Sequence, residues 1–158
     1  MDDFLIALNN IWNTVVIIVT HKIFYITFFT WLIAQTLKVL IFFITKHKFD
    51  FRLFVGTGGM PSSHTAAVSA ITTTIGLYSG WDSPVFMVSL CYAIIVISDA
   101  MGVRRAAGKQ AVVLNKMMDE IEHGKFKYEK RLKELLGHTP LEAFAGILIG
   151  IVFPILMF

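Results

Sequence analysis

The chain has one cysteine and few charged residues, and each shortage excludes a class of protein. A single cysteine, Cys91, cannot form a disulfide within the chain or supply a cysteine-rich metal site. Charged residues make up 16% of the 158 residues, whereas hydrophobic residues make up 56%. This balance is too apolar for an ordinary soluble domain of this length. The net charge of +3 is modest, and we expect no nucleic-acid partner.

Four apolar segments, each suited to a membrane helix, account for this composition. They are residues 23–44, 65–80, 84–98 and 140–158. The first is long enough to span a bilayer alone, and the two middle ones are short but can pack around a polar pocket. Small residues favour close packing, above all in the GxxxG spacing of Gly146 and Gly150, and such faces could also join two copies as a homodimer. We predict an all-α polytopic membrane bundle of four to five apolar helices.

Two further segments are less apolar than these spans. Residues 1–22 begin with acidic residues instead of the positive charge of a signal peptide. Their three asparagines favour an interfacial or short re-entrant N-terminal helix, with a fifth span as the alternative. Residues 104–137 are charged but keep a helical apolar pattern, which predicts an extramembrane helical insertion broken at Gly124. We expect residues 1–158 to form a single membrane-embedded domain.

The segment GGMPSSH, residues 58–64, places polar groups at the start of an apolar helix. Pro61 disfavours helix before it, Ser62 or Ser63 can cap the helix that follows, and the glycines allow close backbone approach. Exposed N–H groups at a helix N-terminus attract anions, above all phosphate. His64 adds a titratable proton donor at the same position. A glycine-serine turn with an interfacial histidine would explain this loop alone, but a second loop repeats the design.

The segment LGHTP, residues 136–140, places His138 directly before the last apolar helix. Thr139 and Glu142 have the spacing of a capping box, with Pro140 at the first helical position. The same spacing keeps the Glu142 carboxylate one turn from His138, where it can orient the imidazole. A histidine with one ring nitrogen fixed by a carboxylate has its other nitrogen available for attack. This loop therefore indicates a nucleophilic histidine.

Cations lie near both loops in the sequence. Lys38 is within an apolar span, where an ionisable side chain indicates a function unless it snorkels to the interface. Arg104, Arg105 and Lys109 follow the third span. Interfacial anchoring would explain the arginines, but a guanidinium is also the preferred bidentate partner of a phosphate. Asp99 is expected to pair with one of the arginines or with Lys109.

Together, the segments AQTLK, GGMPSSH, DAMGVRRAAGKQ and LGHTP resemble the type-2 phosphatidic acid phosphatase superfamily over residues 35–150. The sequence PSSH is similar to its second motif, with Ser63 in place of glycine. The sequence GHTPLEAFAG resembles the end of its third motif, with Glu142 in place of aspartate. Leu132 stands where the arginine of that motif is expected, so Arg104 or Arg105 would take its role. These differences point to the divergent branch of the superfamily, integral membrane proteins related to acid phosphatases and vanadium haloperoxidases.

The resemblance implies a phosphatase that uses no metal and no cofactor. His138 would be the nucleophile that forms a phosphohistidine, Glu142 would orient it, and His64 would protonate the leaving alcohol. Side chains and loop N–H groups would hold the phosphoryl oxygens, and these side chains are Lys38, Ser62, Ser63, Arg104, Arg105 and Lys109. Fixed cations can supply the positioning and charge neutralisation that phosphoryl transfer requires.

These expectations favour a phosphohydrolase that acts on a lipid phosphate in the bilayer, such as phosphatidylglycerophosphate or phosphatidate. A polyprenyl (di)phosphate fits the same kind of pocket at the membrane surface. The alternative from another class is a non-catalytic membrane protein that binds or transports lipid phosphates, or that acts as a scaffold through residues 116–134. The first motif of the superfamily begins with a lysine and ends in Arg-Pro. Lys38 would stand for that lysine, but no Arg-Pro follows it at the expected distance. This difference and the altered arginine spacing keep the alternative open.

The two loops that carry the histidines also carry most of the lysines and arginines. The connectivity of the four spans allows both loops to lie on one membrane face. The opposite face has Lys22 and a turn, residues 79–84, that contains neither lysine nor arginine. The positive-inside rule therefore predicts that the active face lies in the cytoplasm, with the chain in a bacterial-type inner or plasma membrane.

Overall fold

The computed structural model describes residues 2–47, 59–122 and 137–158, and every regular element in these ranges is an α-helix. The helices are α1 (Asp2–Thr20), α2 (Lys22–Lys46), α3 (Ser63–Ser79), α4 (Pro84–Met101), α5 (Val103–Glu122) and α6 (Pro140–Met157). In the described part of the chain, three helices are long and apolar enough to cross a membrane: α2, the helical region that begins with α4, and α6. The prediction of an all-α membrane bundle is confirmed.

The helix boundaries follow from capping residues and prolines in the sequence. The Ser62 hydroxyl accepts a hydrogen bond from the Thr65 N–H at 3.3 Å and so caps α3. Ser83 caps α4 in the same way, and Pro84 occupies the first turn. The Thr139–Glu142 capping box of α6 is present with both of its hydrogen bonds, as predicted. These caps satisfy N–H groups that would otherwise lack partners at the helix starts.

Helices α3 and α6 form the most extensive helix–helix contact among the described elements. At Gly146 an added Cβ would collide with the Thr65 hydroxyl and the Ser62 carbonyl, and at Gly150 with Ala66. The Thr65 hydroxyl donates to the Ala143 carbonyl of α6 at 3.1 Å. The small-residue face of α6, which we predicted as a surface for a homodimer, is therefore buried against α3 within one chain.

The two segments outside the predicted spans begin as helices. Helix α1 packs chiefly against α2 and exposes most of its apolar side chains. Its assignment as interfacial, re-entrant or spanning stays a prediction. Helix α5 follows α4 after Gly102 alone, so the first part of the predicted insertion is helical. The predicted break at Gly124 and the glycine at position 58 lie outside the described residues.

Long-range hydrogen bonds bring four helix ends to one end of the bundle. The Ser62 N–H donates to the Glu142 carbonyl at 3.0 Å, which joins the starts of α3 and α6. The His138 N–H donates to the Ala100 carbonyl at 3.0 Å, which joins the end of α4 to the loop before α6. In the second half of α2, Lys38 Nζ lies 3.5 Å from Ser63 Oγ at the start of α3. Helices α2 and α4 therefore run towards this end, and α3 and α6 run away from it. This connectivity agrees with the predicted order of spans.

Candidate active site

The centre of the candidate site is the pair formed by His138 and Glu142. His138 Nδ1 lies 3.1 Å from Glu142 Oε2, and the imidazole is almost completely buried. The same carboxylate oxygen accepts the Thr139 N–H at 3.2 Å, so the capping box fixes the position of the carboxylate. Because a carboxylate accepts hydrogen bonds, Nδ1 carries the proton and Nε2 keeps its lone pair. The geometry suits a histidine that attacks through Nε2.

His64 faces His138 across the site from the first turn of α3. The ring centroids lie 6.4 Å apart with an interplanar angle of 50°. The two histidines are far apart in the sequence, and the Ser62–Glu142 backbone hydrogen bond holds the start of α3 against the start of α6. His64 is exposed, whereas His138 is buried. One phosphoryl group can contact both rings at this separation.

Lys38 is buried next to Gly59 and Ser63, so its ammonium group does not reach the protein surface. Only 2% of its surface is exposed. Its Nζ donates to Gln35 Oε1 at 2.6 Å and lies 3.5 Å from Ser63 Oγ. A buried ammonium group inside a membrane bundle is costly, so it is kept where it interacts with another charge or a ligand. Here its charge acts on Glu142 and His138.

The two serines of the loop have different positions. Ser62 is fully buried, and its hydroxyl caps α3 by accepting the Thr65 N–H. The hydroxyl of Ser63 lies beside the Lys38 ammonium and is also buried. Gly59 has a φ of +87° and packs against the aliphatic part of Lys38. Such a φ favours glycine, because other residues rarely adopt it.

Among the three predicted cations after α4, Arg104 has the clearest relation to the histidines. Its charge acts on both His64 and His138. Its Nε donates to Asp99 Oδ2 at 2.7 Å, so Asp99 pairs with an arginine, one of the two partners we expected. Arg105 is half-buried and Lys109 is exposed. Among the described residues, Arg104 is the arginine whose charge contributes to the electrostatic environment of both histidines.

The loop before α6 is docked on the junction between α4 and α5. Gly137 has a φ of +87°, and an added Cβ there would collide with the backbone of Arg105. The next residue, His138, donates its N–H to Ala100 near the end of α4. The loop that carries His138 and the segment that carries Arg104 and Arg105 are therefore held against each other by backbone contacts, which side-chain motion cannot easily change.

Burial lowers the pKa of the His138 imidazole below its ordinary value, because the charged form loses its hydration. The hydrogen bond and the charge of Glu142 oppose this effect, while the charges of Lys38 and Arg104 add to it. The direction is downward overall, so His138 is neutral at pH 7. A neutral imidazole is the nucleophilic form.

A cavity of about 150 Å³ opens beside Lys38. It is lined by Lys38, Ile41, Phe42, Thr45, Gly59 and Met60, so its walls are mainly apolar. A larger apolar groove of about 640 Å³ lies between α1, α2 and α3. None of the predicted site residues lines this groove, whereas Lys38 lines the smaller cavity.

Gln35 is a site residue to which the sequence assigned no role. Its carbonyl oxygen accepts the hydrogen bond from Lys38, and the side chain is buried. The spacing of three residues within an apolar helix was the available signal, because residues at i and i+3 share a helix face. Within the described residues, no group of three or more His, Cys, Asp or Glu side chains could hold a metal ion.

The region that contains these residues is similar to a known protein family and to a known protein. The family described as "Divergent PAP2 family" matches residues 19–153, which is most of the chain. A relative in Bacillus subtilis (strain 168), "Uncharacterized membrane protein YuiD", is 46% identical over 137 residues, which covers 78% of this chain and 85% of the relative. No solved structure gives a significant match.

Proposed function

The chain belongs to the divergent PAP2 family of membrane proteins, and we propose that it is a metal-independent lipid phosphate phosphohydrolase that acts through a phosphohistidine. The observation that carries the proposal is the convergence of His138, held by Glu142, with His64 and the buried Lys38. A nucleophile, a proton donor and a fixed cation are the parts that phosphoryl transfer requires.

The proposed reaction has two steps. Nε2 of His138 attacks phosphorus while the bond to the alcohol oxygen breaks, and His64 gives its proton to that leaving oxygen. Water then attacks the phosphohistidine and gives a proton to His64, and the P–N bond breaks to release inorganic phosphate. Lys38 and Arg104 neutralise the negative charge of the phosphoryl oxygens in both steps. Glu142 holds His138 in the tautomer that the attack needs.

The position of the site favours a substrate with an apolar tail. The cavity beside Lys38 has walls from Ile41 and Phe42, which continue into the apolar surface of α2. A phosphate at the histidines would therefore adjoin a path for hydrocarbon into the bilayer. Phosphatidylglycerophosphate and phosphatidate have this form, and a polyprenyl (di)phosphate has it as well.

A second candidate function is the binding or transport of lipid phosphates without hydrolysis. It is favoured by the arginine arrangement, in which Arg104 of α5 stands in place of a residue close to His138 in the sequence. The cations and His138 would then bind a phosphate, and no bond to phosphorus would break.

The proposal is tested by phosphate release from lipid phosphates in detergent micelles with a chelator present. We compare the wild type with His138→Asn and with the matched control His21→Asn, which changes a histidine at the other end of α2 and keeps an N-capping residue there. We expect turnover in the wild type and the control, and a loss of about a thousandfold or more in His138→Asn. Binding of lipid phosphate without any release in the wild type would favour the second candidate.

The location of the site is part of the same proposal. The active face lies in the cytoplasm because Lys46 and the cations of α5 are at that end of the bundle, while Lys22 is at the other. A cytoplasmic site favours phospholipid intermediates over outward-facing polyprenyl diphosphates. Residues 1–158 act as one membrane-embedded domain in this proposal.

A further inference from the structure

We infer that Asp99 is a positioning residue, which holds Arg104 by one edge of its guanidinium so that the opposite edge receives the phosphoryl oxygens. The inference rests on the proposed function and adds a residue to it. Asp99 is in the last turn of α4 and Arg104 in the first turn of α5, with Gly102 between the two helices. The ion pair therefore crosses the break between the helices.

The atoms in the ion pair show that Asp99 contacts Arg104 through Nε and not through the terminal nitrogens. The contact joins Arg104 Nε to Asp99 Oδ2 at 2.7 Å. Among the described residues, no other hydrogen bond or ion pair engages the side chain of Arg104. A guanidinium has five N–H donors in one plane. A contact through Nε leaves the N–H groups of the two terminal nitrogens available to a second anion. These terminal nitrogens form the edge that binds phosphate in a bidentate way.

The backbone of the same junction fixes where this edge lies. The Ala100 carbonyl, next to Asp99, accepts the N–H of His138 at 3.0 Å. The backbone of Arg104 also contacts Gly137, which precedes the nucleophile. The charge of Arg104 reaches both histidines, as the electrostatic effects on His64 and His138 show. Asp99 thus belongs to the structural unit that carries the nucleophile.

A purely structural role explains the pair less well. About half of the Arg104 side chain and about a third of the Asp99 side chain are exposed, with values of 48% and 36%. Exposed ion pairs contribute little to folding stability, because solvent screens them and ordering the side chains costs entropy. Such a pair can, however, hold a long arginine side chain in one orientation. A fixed orientation favours the binding of a ligand to that arginine.

The inference is tested by a double-mutant cycle of Asp99→Ala and Arg104→Gln, with Asp99→Asn as the conservative variant. The probe is inorganic phosphate, the product of the proposed reaction, and its binding to the detergent-solubilised protein is measured by calorimetry. We expect Asp99→Ala to weaken phosphate binding about tenfold and to change nothing further once Arg104 is glutamine. Asp99→Asn should keep most of the affinity, because the amide oxygen can still accept from Nε. Thermal unfolding should be unchanged in Asp99→Ala.

Other results of the cycle would overturn the inference. If Asp99 merely repels the phosphate, Asp99→Ala would tighten phosphate binding. If Asp99 acts elsewhere, Asp99→Ala would weaken binding equally in the Arg104→Gln background. Kinetics with phosphatidate separate this inference from the proposed function. A wild type that binds phosphate with the expected coupling but releases none from lipid would contradict the proposed hydrolysis and leave the role of Asp99 supported.

Discussion

Glu142 combines two tasks that sequence patterns usually assign to different residues. Its Oε2 accepts the N–H of Thr139, as a capping box requires, and it also lies 3.1 Å from His138 Nδ1. The helix start therefore determines the position of the carboxylate, and the carboxylate determines the orientation of the imidazole. Little extra order is needed to orient the His138 imidazole, since the cap forms with the helix.

Replacing Glu142 with glutamine should move the acid limb of the pH–rate profile. Attack on phosphorus requires neutral His138, and burial lowers the pKa of this imidazole below its ordinary value. Activity of the wild type should therefore fall only below about pH 6.5. The Glu142 charge raises that pKa, and its removal lowers it further. The acid limb in Glu142→Gln should therefore shift to lower pH, with kcat reduced about tenfold. An acid limb that moves to higher pH would contradict the assignment; kcat/KM measured from pH 4 to 8 decides this.

Removal of the proposed proton donor should depend on the leaving group. His64→Ala should reduce turnover of a lipid phosphate by about a hundredfold or more, because an alkoxide leaves poorly without a proton. An aryl phosphate with an acidic phenol needs no such help in the first step and should lose much less. The measurement is kcat/KM for both substrates in both proteins. Equal losses would show that His64 does not donate to the leaving oxygen.

The sequence predicted local relations between residues better than distant ones. The distance between His138 and Glu142 follows from helix geometry, so their contact was foreseeable. Lys38 was identified by its charge in an apolar segment, but its approach to Ser63 depends on how α2 and α3 pack. The choice of Arg104 over its neighbour also required the geometry of the helix junction. No local pattern encodes such tertiary contacts.

At the scale of elements, the site depends on how closely α3 and α6 approach each other. The glycines of α6 let its backbone lie against Thr65 and Ala66 of α3. The first turns of these two helices carry His64 and Glu142, and His138 directly precedes α6. A change in helix spacing would therefore alter the distance between the two histidines. GxxxG spacing predicted close packing, but the sequence did not show whether the partner was α3 or another copy of the chain.

Gly146→Ala should lower both stability and activity. The new methyl would overlap the Thr65 hydroxyl and the Ser62 carbonyl, and overpacking of this kind costs about 1–3 kcal/mol. We expect a lower thermal unfolding temperature in detergent and a reduced kcat, because α3 must move away from α6. Leu148→Ala is the matched control, since that side chain is on the exposed face of α6 and should cost little. Wild-type stability and activity in Gly146→Ala would exclude the tight contact.

The boundaries of the helices were the most predictable feature of this scale. Ser62, Thr139 and two prolines supplied local signals for starts, and each start lies where these residues indicate. The charged segment after Met101 kept a helical pattern in the sequence, and α5 (Val103–Glu122) is indeed helical in the described part of it. Apolar character decreases there, yet the helix resumes after Gly102. The hydropathy of a segment indicates whether it is buried or in contact with lipid or water, and it indicates the backbone conformation only indirectly.

At the scale of the whole molecule, the cations are distributed unequally between the two ends. The described residues at the site end include Lys46, Arg104, Arg105, Lys109 and Lys116, whereas Lys22 is at the other end with the α3–α4 turn. Charge asymmetry of this kind sets orientation when loops are short. The same cations would increase the local concentration of anionic substrates at the site. The proposed catalysis and the positive-inside rule thus favour the same placement of charge.

Cysteine labelling in intact cells tests this orientation. In a Cys91→Ala background, Lys116→Cys reports on the site end and Asp82→Cys on the α3–α4 turn. With a membrane-impermeant thiol reagent, we expect Asp82→Cys to be labelled at once and Lys116→Cys to be labelled only after permeabilisation. The reverse pattern would place the site outside the cell and would favour an outward-facing substrate such as a polyprenyl diphosphate.

The covalent intermediate is the most direct test of the complete account. The protein is mixed with a lipid phosphate that carries ³²P, quenched in alkali within the first turnovers, and mapped by mass spectrometry. The account predicts an acid-labile phosphate on His138 that is absent from His138→Asn and present in the control His21→Asn. Release of phosphate from the wild type with no label on His138, or undiminished release from His138→Asn, would contradict the account.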